Sequence, residues 1–327
     1  MGGIFSSPDT PPPSSPPDPT KLDLRPEERK SLDLPDGRTL GYATYGSTNP
    51  SDPAIFLFHG MPGCRLVGRS WNKLCKDIGA RLITIDRPGN GLSTLAARKL
   101  TQWSDDVLSL ADHLKIEHFS IVGGSAGGPF ALACARFIPE ERLRGTTVVC
   151  GIAPIEALLD TTPYLSWRLG GFTSWAVKLA ARYIILPRLL APYRDLNPSR
   201  LKRAMEDQCQ TPEEKEFLTP DPHRETDLDD AVAGLLETFK QGNGGFVLDG
   251  SITSSDWGFD LRDVDGGRVW LWHGDQDAVA PVATARWMNE RLGGGRLRVL
   301  EGGTHSTIWK HHEKEIFERS AKARNDG

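Results

Sequence analysis

Gly123-Gly124-Ser125-Ala126-Gly127 follows an apolar run at 119–122 and opens into a helix-like run at 129–137. A serine on a sharp strand-to-helix turn has its hydroxyl pushed clear of the backbone, and small neighbours let the chain turn there. That hydroxyl is a poor nucleophile until a base takes its proton, and the base needs an acid to orient it. A histidine and a carboxylate are therefore expected further on, each past a strand end. His305 lies in Glu301-Gly302-Gly303-Thr304-His305-Ser306, after the last strand-like run. Two aspartates, Asp275 and Asp277, follow the run at 269–272. Asp277, deeper in the loop and just ahead of a helix start at 279–281, is the stronger acid candidate. Asp275 reads as a loop cap, since aspartate readily bonds nearby backbone N–H groups.

Attack on a carbonyl also needs donors aimed at the developing oxyanion. The backbone N–H of Met61, in Phe58-His59-Gly60-Met61-Pro62-Gly63, is one candidate and that of Ala126 is the other. His59 reads as a structural histidine that holds this loop. No G-x-x-x-x-G-K-[ST] or G-x-G-x-x-G phosphate loop is present, and no His/Cys/Asp cluster has metal spacing. No cofactor or metal is expected. The five cysteines (Cys64, Cys75, Cys134, Cys150, Cys209) read as free buried thiols in a reducing, cytoplasmic setting. Cys64 lies near the Met61 loop, but Ser125 is the better nucleophile.

These residues must be positioned by a sheet. Residues 31–34 and 38–45 flank Pro35-Asp36-Gly37 as a hairpin. The continuous apolar runs at 54–58, 82–85, 119–122 and 146–149 suit strands buried on both faces. The stretch 103–114 has helical periodicity, with Val107, Leu110, Ala111 and Leu114 on one side. Such alternation predicts an α/β fold with a parallel sheet covered by helices. It stops near residue 151, and residues 155–255 read as helical with no buried strand. Strands resume at 269–272 and 297–300. The expected organisation is a core over 21–154 and 256–327 with a helical cap over 155–255 at the sheet's C-terminal edge. The cap aromatics Trp167, Phe172 and Trp175 are candidates for the substrate pocket. Its acidic second half (Glu214, Asp227, Asp229, Asp230) and basic first half read as solvated faces pairing with each other.

With a net charge of -4 and no basic–aromatic patch, no nucleic-acid partner is expected. No apolar run approaches the ~20 residues of a membrane span, and no secretory signal is read at the N-terminus. Residues 1–20, rich in Pro, Ser and Asp, read as a disordered tail. Met1-Gly2-Gly3-Ile4-Phe5-Ser6 fits the N-myristoylation pattern at Gly2. One acyl chain there would give weak, reversible membrane attachment.

The order Ser125, Asp277, His305, with His59-Gly60-x-Pro62-Gly63 and Asp86-Arg87-Pro88-Gly89-x-Gly91-x-Ser93, resembles the α/β-hydrolase-fold serine hydrolases of the capped type. The resemblance spans roughly 31–320 and implies ester hydrolysis through a Ser-His-Asp triad and an acyl-enzyme, with a small-molecule ester as partner. Asp86 to Ser93 carries over as a structural loop, Arg87 included. Capped epoxide hydrolases and haloalkane dehalogenases are also similar but carry Asp where this chain has Ser125. Proline iminopeptidases are more similar, though they usually have H-G-G-P-G where this chain has Met61, and they use cap acids to hold the substrate's amino group. Amide hydrolysis, lactone hydrolysis, acyl transfer and a noncatalytic ligand receptor on the same fold stay open.

Overall fold

The structure is a computed structural model that describes residues 22–161, 188, 193, 196–209, 211–217, 227–293 and 296–323. The N-terminal hairpin is β1 (Lys30–Asp33) and β2 (Thr39–Gly46), turning at Gly37 with φ 82°. The apolar runs become β3 (Ala54–Phe58), β4 (Arg81–Ile85), β5 (Phe119–Gly124), β6 (Leu143–Val149) and β7 (Val269–Gly274). A half-exposed edge strand, β8 (Arg296–Leu300), ends the sheet. The eight strands lie in the order β1-β2-β4-β3-β5-β6-β7-β8, with β2 antiparallel to both its neighbours, β1 and β4, and every other neighbouring pair parallel.

Successive side chains of a strand point to opposite faces, and the core divides accordingly. Phe56, Phe58 and Ile121 pack with Trp103, Val107, Leu110 and Phe130 of helices Trp103–His113 and Gly127–Phe137. Ile55, Leu57 and Val122 pack on the other face with Trp71, Ile316 and Phe317, the last two from helix Thr307–Lys322. Both faces are covered, as the unbroken apolar runs require.

From β3 the chain steps to β4 on one side and later returns to β5 on the other. Open α/β sheets bind ligands past the C-terminal strand ends at such a reversal, here between β3 and β5. Phe58 of β3 lies opposite Gly123 of β5, so the Met61 loop and the Ser125 turn leave the sheet side by side.

Between β6 and β7 the described residues form helices Ile155–Thr161, Pro198–Gln208, Pro212–Phe217, Leu228–Thr238 and Gly244–Thr253, with no strand among them. Asn197 accepts from the N–H groups of Ser199 and Arg200 to start one helix, and Asp227 accepts from Asp230 N–H to start another. Tyr193, Leu201, Val232, Leu235, Phe239 and Phe246 form a separate apolar cluster, and Met61 packs against it. The acidic face does more than pair locally. Lys202 pairs with Asp229, but Asp230 reaches Arg69 of the core at 2.6 Å. Among the described residues no helix is long and apolar enough to cross a membrane.

Candidate active site

β5 runs two residues beyond the expected run, to Gly124, and the following helix begins at Gly127 rather than at residue 129. Ser125 and Ala126 are left on the turn, Ser125 with φ 52°, a conformation that costs a non-glycine residue about 1–3 kcal/mol. Backbone bonds hold it there: Ser125 N–H donates to Val149 O at 2.9 Å, and Ser125 O accepts from Gly128 and Ile152. The neighbours must be glycine for lack of space. A Cβ at Gly127 would stand 2.3 Å from Phe58 O, one at Gly123 2.6 Å from Gly127 O, and one at Gly124 2.7 Å from the Trp309 ring.

The Met61 loop touches this turn, since a Cβ at Gly60 would lie 3.4 Å from Ser125 Cβ. His59 is buried and bridges within the loop. Its Nε2 accepts from Arg87 N–H at 3.4 Å, so its Nδ1 carries the proton and donates to Gly60 O at 2.8 Å. Burial, with the Arg87 charge beside it, holds the His59 pKa well below the usual imidazole value. It is therefore a neutral strut, in line with the structural role read from sequence. Neither Met61 N–H nor Ala126 N–H meets an acceptor among the described residues. Ala126 also precedes an 11-residue helix, whose N-terminal end favours negative charge.

Asp277 and His305 come together as expected. His305 Nδ1 donates to Asp277 Oδ2 at 2.8 Å, and the Asp277 side chain is fully buried. The other oxygen, Oδ1, accepts from Val279 N–H at 2.9 Å and Ala280 N–H at 2.8 Å. Burial works against the Asp277 charge, but the His305 hydrogen bond and the Ala280 amide outweigh it and hold its pKa below the ordinary value. His273 Nε2, which bonds Ala280 O at 2.6 Å, lies 3.5 Å from the same carboxylate.

The loop-capping role falls to Asp277 and not to Asp275. The Asp277 side chain faces the turn amides at 279 and 280, whereas Asp275 Oδ1 is buried without a hydrogen-bond partner. Ser125 stands at the same sheet edge, past β5, while Asp277 and His305 stand past β7 and β8. Among the described residues Ser125 Oγ makes no hydrogen bond, to His305 or to any other group. Trp167, Phe172, Trp175 and Gly2 lie outside the described residues.

Two further features escaped the sequence. Cys150, one residue past β6 with φ 49°, brings its thiol, Asp277 and His305 within 4.8 Å of one another, although nothing in their spacing suggests a cluster. Burial, then the Asp277 charge, pushes the Cys150 pKa well above the ordinary value, so the thiol stays protonated. The second is Asp249, buried at 2% exposure, which holds both Arg87 and Asn90. Its sequence gives no signal, because a lone charged residue in helix Gly244–Thr253 has no motif around it.

Comparison with known proteins supports the same architecture. A 31% identical stretch of 119 residues is shared with a proline iminopeptidase of Xanthomonas citri, covering 35% of this chain and 36% of that protein. A 35% identical stretch of 104 residues is shared with the magnesium-chelatase 30 kDa subunit of Rhodobacter capsulatus, covering 30% and 36%. The chain thus spans only about a third of the length of these curated relatives. An esterase from Exiguobacterium antarcticum superposes over 90% of this chain and 99% of its own, with a TM-score of 0.59 and 21% identity, a likeness of fold alone. The family model described as alpha/beta hydrolase fold matches residues 53–312, from β3 through the His305 loop. By that match, over a sheet that turns into a serine elbow, the chain belongs to the alpha/beta hydrolase fold family.

Proposed function

We infer that this protein is a serine hydrolase that cleaves a carboxylic ester through an acyl-enzyme. The observation that carries the reading is the 2.8 Å bond between His305 Nδ1 and a buried, ionised Asp277, at the sheet edge where half-buried Ser125 stands on its turn. The nitrogen turned away from Asp277, Nε2, takes the Ser125 proton as Oγ attacks the ester carbonyl. Catalytic hydrogen bonds are often loose in the free enzyme and tighten on binding, and here the His305–Ser125 bond closes with substrate. Met61 and Ala126 N–H groups receive the oxyanion. His305 then protonates the leaving alkoxide and activates the water that releases the acid, while Asp277 holds the tautomer and stabilises the imidazolium.

The helices between β6 and β7 serve as a cap over 155–255. The Met61 side chain against their apolar cluster suits a largely apolar substrate, and Trp167, Phe172 and Trp175 are the proposed further lining. The test is a panel of p-nitrophenyl esters, lactones and prolyl amides, each run against Ser125→Ala. The reading expects the esters to be turned over fastest, with all turnover lost in the variant. Ser125-independent turnover would refute it. Prolyl amide hydrolysis is the second reading, favoured by the match to a proline iminopeptidase; prolyl amides outrunning every ester would establish it. Acylation of Gly2, proposed as a weak membrane anchor, is tested by the mass of the mature N-terminus.

A further inference from the structure

Arg87 is fully buried and its guanidinium is shared between two parts of the molecule. One side donates to the carbonyl of His59 and, from Nη2 at 2.9 Å, to the carbonyl of Gly60. The other side is bidentate on Asp249, with Nε to Oδ1 at 3.0 Å and Nη2 to Oδ2 at 2.9 Å. Its flat face lies 4.9 Å from the Phe130 ring of the helix that follows Ser125. Planar, forked donation of this kind is available to arginine and not to lysine.

The Gly60 carbonyl belongs to the same peptide unit as the Met61 N–H. In a planar trans peptide the two point in opposite directions. With Gly60 O held by Arg87 Nη2 and His59 Nδ1, the Met61 N–H is turned to the opposite side and fixed there. Asp249, in turn, comes from helix Gly244–Thr253 of the β6–β7 connection. That helix is seated tightly on the Arg87 loop. A Cβ at Gly245 would stand 2.4 Å from the Gly89 carbonyl carbon, and one at Gly89 2.7 Å from Gly245 Cα. Gln241 donates to Gly91 O at 2.6 Å and Ser93 O at 3.0 Å, and Asn90 donates to Asp249 at 3.2 Å.

We propose that Arg87 and Asp249 are a positioning pair for the oxyanion donor at Met61, so that seating of helix Gly244–Thr253 and assembly of the oxyanion hole are one event. This rests on the hydrolase reading above. Neither side chain touches substrate. Asp249 holds Arg87, Arg87 holds the Gly60 carbonyl, and the Met61 N–H is aimed as a result. An error of ~1 Å in a donor's position costs on the order of 100-fold in rate, and a missing oxyanion donor costs about 100- to 1000-fold in kcat. Binding of the uncharged ground state is touched far less.

The experiment uses the full chain and its best ester, with active sites counted by fluorophosphonate titration. Asp249→Asn keeps the volume and removes the charge. Arg87→Lys keeps the charge opposite Asp249, so it tests the same link if Asp249→Asn does not fold. Either variant should lower kcat per titrated site by about 100-fold, leave KM within about threefold, and weaken inhibition by an alkyl trifluoromethyl ketone by the same factor as kcat. That ketone forms an oxyanion on the enzyme, and a purely structural role would not move its Ki in step with kcat. A raised KM with unchanged kcat, or a loss fully explained by fewer titrated sites, would overturn the proposal. Wild-type protein that the fluorophosphonate leaves unlabelled would instead overturn the hydrolase reading itself.

Discussion

Ser125 stands where atoms have been taken away, and His305 stands where bonds have been added. Around the serine, glycines at 123, 124 and 127 each border a contact that a methyl group would break, at 2.6, 2.7 and 2.3 Å. Around the histidine there is one buried carboxylate, which takes the imidazole on one oxygen and two backbone amides on the other. The room around Ser125 is therefore set by exclusion, which acts at every pH. The setting of His305 is fixed by a charge, which can be titrated or deleted one atom at a time. The first should fail when volume is added, and the second when an oxygen or a proton changes.

The largest expected effect is on chemistry. Ser125→Ala or His305→Gln should each lower kcat by about six orders of magnitude while leaving the denaturation midpoint close to wild type. Asp277→Asn comes next, at about four orders of magnitude. Asp275→Asn should change turnover less than about tenfold, because Asp275 makes no bond to the imidazole. Reversal of those two results in steady-state kinetics would move the acid to Asp275 and dissolve the contrast drawn above.

Volume is tested at Gly123. Gly123→Ala should destabilise the protein by about 1–3 kcal/mol, the usual cost of overpacking, read as a lower urea midpoint together with slower fluorophosphonate labelling. Unchanged stability would mean the elbow is not held by exclusion.

The last contrast is in stability against pH. Burial depresses the His59 pKa well below 6.5 and lowers that of His273. The unfolded chain takes up these protons near pH 6.5 while the folded chain does not. Stability is thus full above that pH and falls as pH drops below it, by up to about 1.4 kcal/mol per pH unit for each histidine. Asp277 acts lower down. Its folded pKa lies below 3.8, so its contribution is present above that value and fades as pH falls through the folded pKa. Urea midpoints at pH 7.5 and 5.0 should differ less in His59→Gln than in wild type. Equal differences would show that His59 is not the buried neutral group described here.

The sheet was legible because its strands are continuous apolar runs. Residues 54–58 are read to the residue, while β5 and β6 extend beyond their apolar centres into Gly123-Gly124 and Leu143-Arg144-Gly145, where strand propensity is poor and sheet pairing decides. The placing of Ser125, Asp277 and His305 at one sheet edge was legible because each follows a strand end, at β5, β7 and β8. Depth in the loop favours Asp277 over Asp275, but the spacing that makes Asp275 read as the cap misplaces it: the amides of Val279 and Ala280 bond Asp277. The direction an aspartate side chain takes in a loop is set by the fold and not by spacing. Cys150 and Asp249 were invisible for a similar reason. Their partners lie more than a hundred residues away, and no short-range pattern marks either one.

The central claim is that Ser125, His305 and Asp277 act as one unit, with Met61 and Ala126 receiving the oxyanion. A crystal structure of the fluorophosphonate adduct tests it directly. The phosphorus should be bonded to Ser125 Oγ, its oxygen should accept from the Met61 and Ala126 amides, and His305 Nε2 should lie within about 3.2 Å of Oγ or of the leaving-group position while Nδ1 stays on Asp277. An adduct on any other residue, or an imidazole that remains out of reach of the bonded serine, would contradict it.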